Sequence, residues 1–574
     1  MNRFPGAHPR RLFQLVLLVV LVAWLTACST STQPGVVSEV VTRVVTEVET
    51  QVVEVTRVVS EVQTEFVEVT PTVDPNPPEG GTLIFGSTLR AEFPINPVIS
   101  IHRPALWVFD PLLEFDPVTL KPAPNLAESW EVSDEGTVYT FKLREDVYWH
   151  DGEQFTADDV VFTFNAWLHD PSSIYRSDFV YGDKEVEVAE IDDFTVEFTL
   201  PEPRASFLSN LTGWHGIVPE HLLAGQDMAS ATEFNENPVG TGALKFVELQ
   251  PQDFVRFEMN KEYWRGEPHL EGFIWKVMPD DDVQVTALSN GEMDVMKNVN
   301  TADVAARVNE IPGVTTYRVL GHFTYAFFFN HNRFEPLKDG QVREAIAMAL
   351  DKPTIITAVI GGDTPHAEQL LNPNHVGYNP DVRVIGYDPE GAVALLNEAG
   401  WTDSDGDGIL DKDGQPLAFT VISERADLPD AIQGYLREVG IDMSINIVER
   451  AVREELQRTG EWDAYIGWDG FEIPFNAFVN NWTTGAWTNY SNADVDSLIQ
   501  EADSTGDADE SEAKIMEVEE ILTDDVAAIW LHYYISKIAV SDNIAGLLLP
   551  PTPADQNNTG VFYHLEDLYM KEPK

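Results

Sequence analysis

One cysteine, Cys28, is all that 574 residues contain. An internal disulfide framework is excluded, and so is any metal or iron–sulfur centre built on several thiolates. Positive charge is also scarce: 36 Lys and Arg face 95 Asp and Glu, a net charge of −59. A surface of that sign repels phosphate backbones, so nucleic acid is ruled out as a partner, and it repels anionic lipid surfaces too. The charge describes a well-solvated surface and does not dictate fold. Catalytic signatures are missing as well. The chain has no G-x-S-x-G, no H-E-x-x-H and no G-x-x-x-x-G-K-[ST]. Its 13 histidines are scattered, and His150 beside Asp151 falls at an Asp-Gly turn, where it reads as structural. Carboxylates are abundant, but nothing marks one pair for glycosidase chemistry. The expectation is a protein that is not an enzyme and requires no cofactor.

What is present is a folded body: 43% apolar and 10% aromatic residues in a chain long enough for two to four domains at ~150 residues each. Ahead of it, Arg3, Arg10 and Arg11 precede an apolar run from Leu12 to Leu25, then Leu25-Thr26-Ala27-Cys28. A basic start, an apolar stretch and small residues form the grammar of a secretory signal. The run is shorter than the ~20 residues a spanning helix needs. The stretch LTAC resembles the lipobox of bacterial lipoproteins. That implies a signal peptide over residues 1–27, a lipid anchor on Cys28, and a mature protein held on the outer face of a membrane by its acyl chains.

Residues 28–79 are a low-complexity stalk of Val, Thr and Glu. VTRVV occurs at 41–45 and again at 55–59, and the valines recur at spacings of three and four. Two readings stay open: a coiled coil, and a disordered tether favoured by the poor helix propensity of Val and Thr. Pro71, Pro75, Pro77 and Pro78 make its end an extended linker.

From Gly80 the texture changes. GGTLIFGS reads as a strand, and WEVSDEGTVYTFKL, 130–143, as a hairpin turning at Asp134-Glu135-Gly136. Thr156, with Asp159 three residues on, marks a helix start. Helical and strand patterns alternate over 389–399, 417–422, 428–439 and 443–449, which predicts an α/β domain.

The block NLAESWEVSDEGTVYTFKLREDVYWHDGEQFTADDVVFTF, 125–164, resembles the signature of the family 5 extracellular solute-binding proteins, the peptide, nickel and related receptors of ABC importers. NPVGTGALKF at 237–246, NKEYWRGEPHL at 260–270, ALSNGEMDV at 287–295, VREAIAMALDK at 342–352, YDPEGAVALLNEAGW at 387–401 and YSNADVDSLIQEA at 490–502 follow in the family's order. The resemblance runs from about Gly80 to the C-terminus. It implies an α/β, two-lobed periplasmic-binding-protein-like fold of type II, with an extra subdomain in lobe I. Lobe I would comprise 80–318 and 532–574, and lobe II 319–531. It further implies hinged capture of a small solute for an ABC permease and its ATPase.

The resemblance places the ligand between the lobes, largely against lobe II. Peptide receptors hold the ligand's amino group with an Asp shortly after a Gly-Trp. Here Gly467-Trp468 is followed at once by Asp469 and Gly470, and the interval to Pro474 is one residue short. Trp468, Asp469, Gly470 and Glu472 are therefore the candidates. Trp107 and Trp214 are candidates from lobe I, and Tyr325 and Asn330 from the cleft floor. No Lys or Arg lies between Arg458 and Lys514, so a carboxylate anchor must come from elsewhere, such as Arg425 or Arg333. Trp462, Trp468, Trp482 and Trp487 offer flat faces that suit sugar rings or cations. Peptide and oligosaccharide both stay open as ligand, and a surface sensor without a transporter stays open as a role.

Residues 403–411, DSDGDGILD, place Asp403, Asp405, Asp407 and Asp411 at EF-hand-like spacing, with Gly414 where the bidentate Glu would stand. The expectation is a structural calcium site; the alternative is an Asp/Gly-rich turn.

Overall fold

Two strands far apart in sequence run side by side through the body. The computed structural model describes residues 76–88, 94–100, 104–116, 121–297, 299, 301–361, 364–469, 474–547, 554–555, 562 and 564–574. Cys28 and the stalk up to residue 75 lie outside them. Within the described body, Val314–Phe329 and Ala528–Ser541 pair antiparallel, from Val314 opposite Ser541 to Phe328 opposite Ala528.

They occupy the middle of one mixed sheet of eleven strands. On one side lie, in order, Val295–Met296, Thr82–Ser87, Gly272–Val277, Phe254–Met259 and Leu244–Gln250. On the other lie Ala464–Asp469, Ala418–Ser423 and Asp442–Ile447, while Ala554–Asp555 runs beside Leu320 and Gly321.

The two strands change cores along their length. Val319, Ile538 and Val540 belong to a core with Leu83, Phe85, Trp275 and the C-terminal Phe562, Leu565 and Leu568. Phe327, Phe329, Ile529 and Leu531 belong to another, closed by helices Gly340–Met348 and Asp427–Glu438. Ala326, Phe328 and Trp530, on the opposite face, pack against helices Ala493–Ser504 and Ala508–Asp524. The result is a two-lobed α/β body whose lobes share a sheet.

The pairing is irregular where the cores change. Leu320 faces Ile535, but the next pair is Thr324 with Tyr533, so residues 321–323 bulge. A bulge removes ladder bonds and lets a strand bend. The freed groups are taken up locally. Asn372 Nδ2 donates to the Gly321 carbonyl at 2.9 Å, and Thr324 Oγ1 donates to the Leu370 carbonyl at 2.6 Å. Leu371 N–H in turn donates to the buried Glu519 carboxylate at 2.7 Å.

Lobe I carries an additional antiparallel sheet, ordered Ala127–Val132, Val138–Leu143, Thr195–Thr199, Glu187–Asp192. Its first hairpin turns at Gly136, with φ +68° in the left-handed region that glycine tolerates. Helix Ala157–His169 covers this sheet. The Thr156 N–H donates to Asp159 at 3.0 Å, and Val160, Phe164 and Trp167 form its buried face.

Among the described residues four histidines are sealed in the body as neutral rings, His532 at the lobe junction and three others. His150 bridges Gly240 N–H and the Gly242 carbonyl, and burial pushes it down to about 4. His331 lies against the Ala527 carbonyl, and burial, then Arg343, lowers it to about 4. Burial, then His322, lowers His375 to about 3. Unfolded, such rings take a proton near pH 6.5. Between pH 6.5 and about 4 the unfolded chain thus binds more protons than the folded one, so stability falls as pH falls through that window. Burial raises Asp110 and Asp159, which act in the opposite sense. Scanning calorimetry is expected to show the melting temperature dropping from pH 6.5 to 4, with a shallower drop in His331→Gln. An equal drop in parent and variant would count against the assignment.

Candidate functional site

Strand polarity decides where a ligand can sit. Val295–Met296 is antiparallel to Ala528–Ser541, and Thr82–Ser87 and Gly272–Val277 run parallel to it, so all three point their carboxyl ends at lobe II. Ala464–Asp469 is antiparallel to Val314–Phe329, and Ala418–Ser423 and Asp442–Ile447 follow it, so these point at lobe I. Two sets of carboxyl ends therefore face one another across the bulged strands. In open α/β sheets ligands bind outside such ends.

The register assembles an aromatic row there. Trp468 is opposite Tyr325, and Tyr325 is opposite His532, so the three side chains share one face of three adjacent strands. Tyr325 and His532 stack at 4.6 Å with 11° between planes. Phe323 meets Trp468 edge-on at 4.8 Å. Trp468 is half-buried, and the guanidinium carbons of Arg450 and Arg453 lie 5.9 and 6.0 Å from its ring. At that range cation–π attraction operates.

Arg425 follows the end of Ala418–Ser423 and turns over this row. It lines the same cavity as Tyr325 and is paired through both oxygens with Asp427. Arg453 Nε donates to Glu424 at 2.7 Å, and Arg450 Nε to Glu454 at 2.7 Å. The rim thus sets cations and carboxylates side by side. Below Arg425 a cavity of about 40 Å³ is lined by Tyr325, Thr364 and His532, with Val299 and Lys537 from the lobe I side. His532 Nδ1 donates to the Tyr533 carbonyl at 3.1 Å, which leaves Nε2 as an acceptor. Neither that atom nor Thr364 Oγ1 has a partner among the described residues. Burial lowers His532 to about 4, so the ring is neutral.

The other sequence candidates separate. Trp107 is a core residue: its indole donates to the Phe562 carbonyl at 3.3 Å and packs among Phe85, Phe273 and Trp275. Trp214 is half-buried against the same core, with its carbonyl accepting from Tyr175. Asn330 is five residues beyond Tyr325, about 16 Å along the strand, at the far end of lobe II. Its amide donates to the Trp462 carbonyl at 2.8 Å, a structural role. Arg333 is at that far end too, bonded to Asp463. Trp462 and Trp482 are buried in lobe II, and Trp487 packs on Phe328. The Asp469 backbone is opposite Thr324; its side chain, with Gly470 and Glu472, lies outside the described residues.

Sequence reading passed over Arg450, Arg453, Phe323, Thr364 and His532. A cation just past the predicted strand 443–449 was the available signal for the first two.

In the acidic loop the carboxylates of Asp403, Asp405 and Asp407 converge within 4.8 Å of one another. Asp411 does not join them: both its oxygens accept from Ser404, at 2.6 to 2.9 Å. A hard cation fits the first three; the expected fourth ligand is turned away.

Comparison with known proteins follows the same lines. The model for bacterial extracellular solute-binding proteins, family 5 (middle) matches residues 121–490. The chain belongs to this family. The oligopeptide-binding protein AppA of Bacillus subtilis is 30% identical over 499 residues, 83% of this chain and 90% of that one. Its structure in complex with a nonapeptide superposes with a TM-score of 0.71 at 27% identity, covering 86% of this chain and 100% of that one. A dipeptide-binding protein of Escherichia coli is 29% identical, covering 77% and 87% of the two chains. NikA from Brucella suis, solved with Fe(III)-EDTA, gives a TM-score of 0.74 at 25% identity, covering 86% and 100%. This family 5 protein is accordingly an extracytoplasmic solute receptor, and among the described residues no helix is long and apolar enough to cross a membrane.

If the row is the ligand wall, Trp468→Ala abolishes the thermal shift produced by any solute that binds in a screen of peptides, cello- and xylo-oligosaccharides and nickel. The unliganded melting temperature should move by no more than about 3 °C, since the side chain is only half-buried. A larger fall would make Trp468 a core residue instead.

Proposed function

We propose that this receptor captures peptides with a free carboxylate between its lobes, unaltered, and delivers them to an ABC permease and its ATPase while tethered to the membrane through acylated Cys28. The observation that carries this is Arg425, which stands at a strand's carboxyl end and lines a cavity with Thr364 Oγ1 and His532 Nε2, neither of which has a partner among the described residues. A guanidinium is suited to bidentate recognition of carboxylate. The neighbouring carboxylates of Asp427 and Glu424 give the rim both signs, which suits a zwitterion better than a neutral sugar. The relatives named for oligopeptides and dipeptides support the same class. The Trp468–Tyr325–His532 row supports an oligosaccharide as the second reading, because indole faces match sugar rings. In keeping with the family, no chemistry on the guest is proposed.

Calorimetry decides between the two. Peptides of two to nine residues are expected to bind, C-terminally amidated versions at least about tenfold more weakly, and Arg425→Gln should erase that difference. Equal binding of acid and amide forms would remove Arg425 as the anchor, and binding of cello-oligosaccharides alone would transfer the case to sugars.

We infer a structural calcium at Asp403, Asp405 and Asp407 in lobe II, supported by their convergence. After chelation, added calcium should release or absorb heat and raise the melting point. No change in either would leave the loop a plain turn.

A further inference from the structure

A contact well away from the bulged strands joins the two lobes. Asp503 lies in the last turn of helix Ala493–Ser504, whose Val495, Ile499 and Ala502 belong to the core of lobe II. Its carboxylate is almost fully buried, yet its cation comes from the other lobe: Arg204 Nη1 bonds to Oδ2. Arg204 precedes Phe207, a member of the lobe I core. Ser206 Oγ donates to Asp503 Oδ1 at 2.8 Å, and the Ala205 N–H donates to the Asp503 carbonyl at 2.7 Å. The guanidinium lies 4.4 Å over the Tyr181 ring and also bonds Glu202, both from lobe I.

A second approach lies beside it. The turn of the lobe I hairpin comes so close that a β-carbon at Gly136 would stand 3.5 Å from the Gly506 α-carbon. Helix Ala508–Asp524 follows this junction. Its seventeen residues span about 25 Å before the strand Ala528–Ser541 begins. The contact therefore acts at a long lever arm from the bulge.

Charge and burial say what it does. Among the described residues Asp503 has no cation partner from lobe II, and in lobe I Arg204 is held ready by Tyr181 and Glu202. Separating the lobes hydrates both ions; bringing them together pairs them in a dry, hydrogen-bonded setting. Breaking one partner of such a pair is far more disruptive than its net worth, because the other is left buried alone.

We propose that Arg204, Ser206 and Asp503 form a latch between the lobes that populates the closed form before a solute arrives. Apparent affinity scales with the fraction of molecules in the binding-competent form, so such a latch tunes affinity without touching the guest. The proposal concerns closure alone and stands whatever the solute is.

The test is electron–electron double resonance on the full-length, solute-free chain carrying Cys28→Ser, with nitroxides at Asp183→Cys and Asp509→Cys, both exposed positions. The parent is expected to show a short-distance population. Arg204→Met and Asp503→Asn should each raise the ratio of long to short distances about tenfold, and the double variant no further than the larger single, as for two residues acting as one unit. Unchanged distributions in both variants, or effects that add, would overturn the latch. If circular dichroism shows either variant unfolded, Ser206→Ala carries the test. It deletes only the 2.8 Å bond and should shift the distribution in the same direction, and no shift overturns the proposal.

Discussion

The pairing of Val314–Phe329 with Ala528–Ser541 is the constraint from which the rest of the molecule follows. Because the two strands are antiparallel and pass through both cores, every strand added on either side inherits a direction. The parallel strands of each lobe then aim their carboxyl ends at the other lobe. The cleft is therefore a consequence of sheet polarity, and the bulge at 321–323 supplies the place where the shared sheet can flex. Asn372 braces that break by taking up the Gly321 carbonyl, and Thr324 ties it to Leu370.

The rim built on those strand ends is chemically conservative. Each of Arg425, Arg450 and Arg453 meets a carboxylate within reach, so none presents a bare charge to the half-dry cleft. A guest that engages Arg425 has to share it with Asp427. Such competition trades affinity for discrimination: only a group that matches the fork's geometry recovers what the displaced carboxylate gave up. The aromatic row adds area without adding polarity, and the neutral His532 contributes an acceptor where a charged ring would repel Arg425 and Lys537.

Local chemistry made much of the fold legible in advance. The turn at Asp134-Glu135-Gly136, the helix begun by Thr156 and Asp159, and the alternation from 389 onward all correspond to observed elements, because each depends on neighbours in sequence. Candidate site residues were legible only where a sequence neighbour gave them away. Trp468 followed from its Gly-Trp setting, and Arg425 from a search for a cation. Trp107 and Asn330 were misread because their partners, Phe562 and Trp462, lie hundreds or scores of residues away and bury them. His532 escaped notice because only the register of two strands sets it beside Tyr325. In the acidic loop the spacing of three aspartates translated into convergence, while Asp411 was claimed by the hydroxyl and amide of Ser404, a local competitor that spacing cannot reveal.

The last residues of the chain complete the first lobe. Phe562, Leu565, Leu568 and Met570 pack with Leu83 and Phe85, and Lys574 reaches the carboxylate of Asp294 at 2.7 Å. The first strand of the body and the C-terminal residues thus belong to one core. Removing Phe562, Leu565 and Leu568 would therefore strip the core around Leu83 and Phe85, more than 450 residues upstream, so damage at one terminus would be felt at the other.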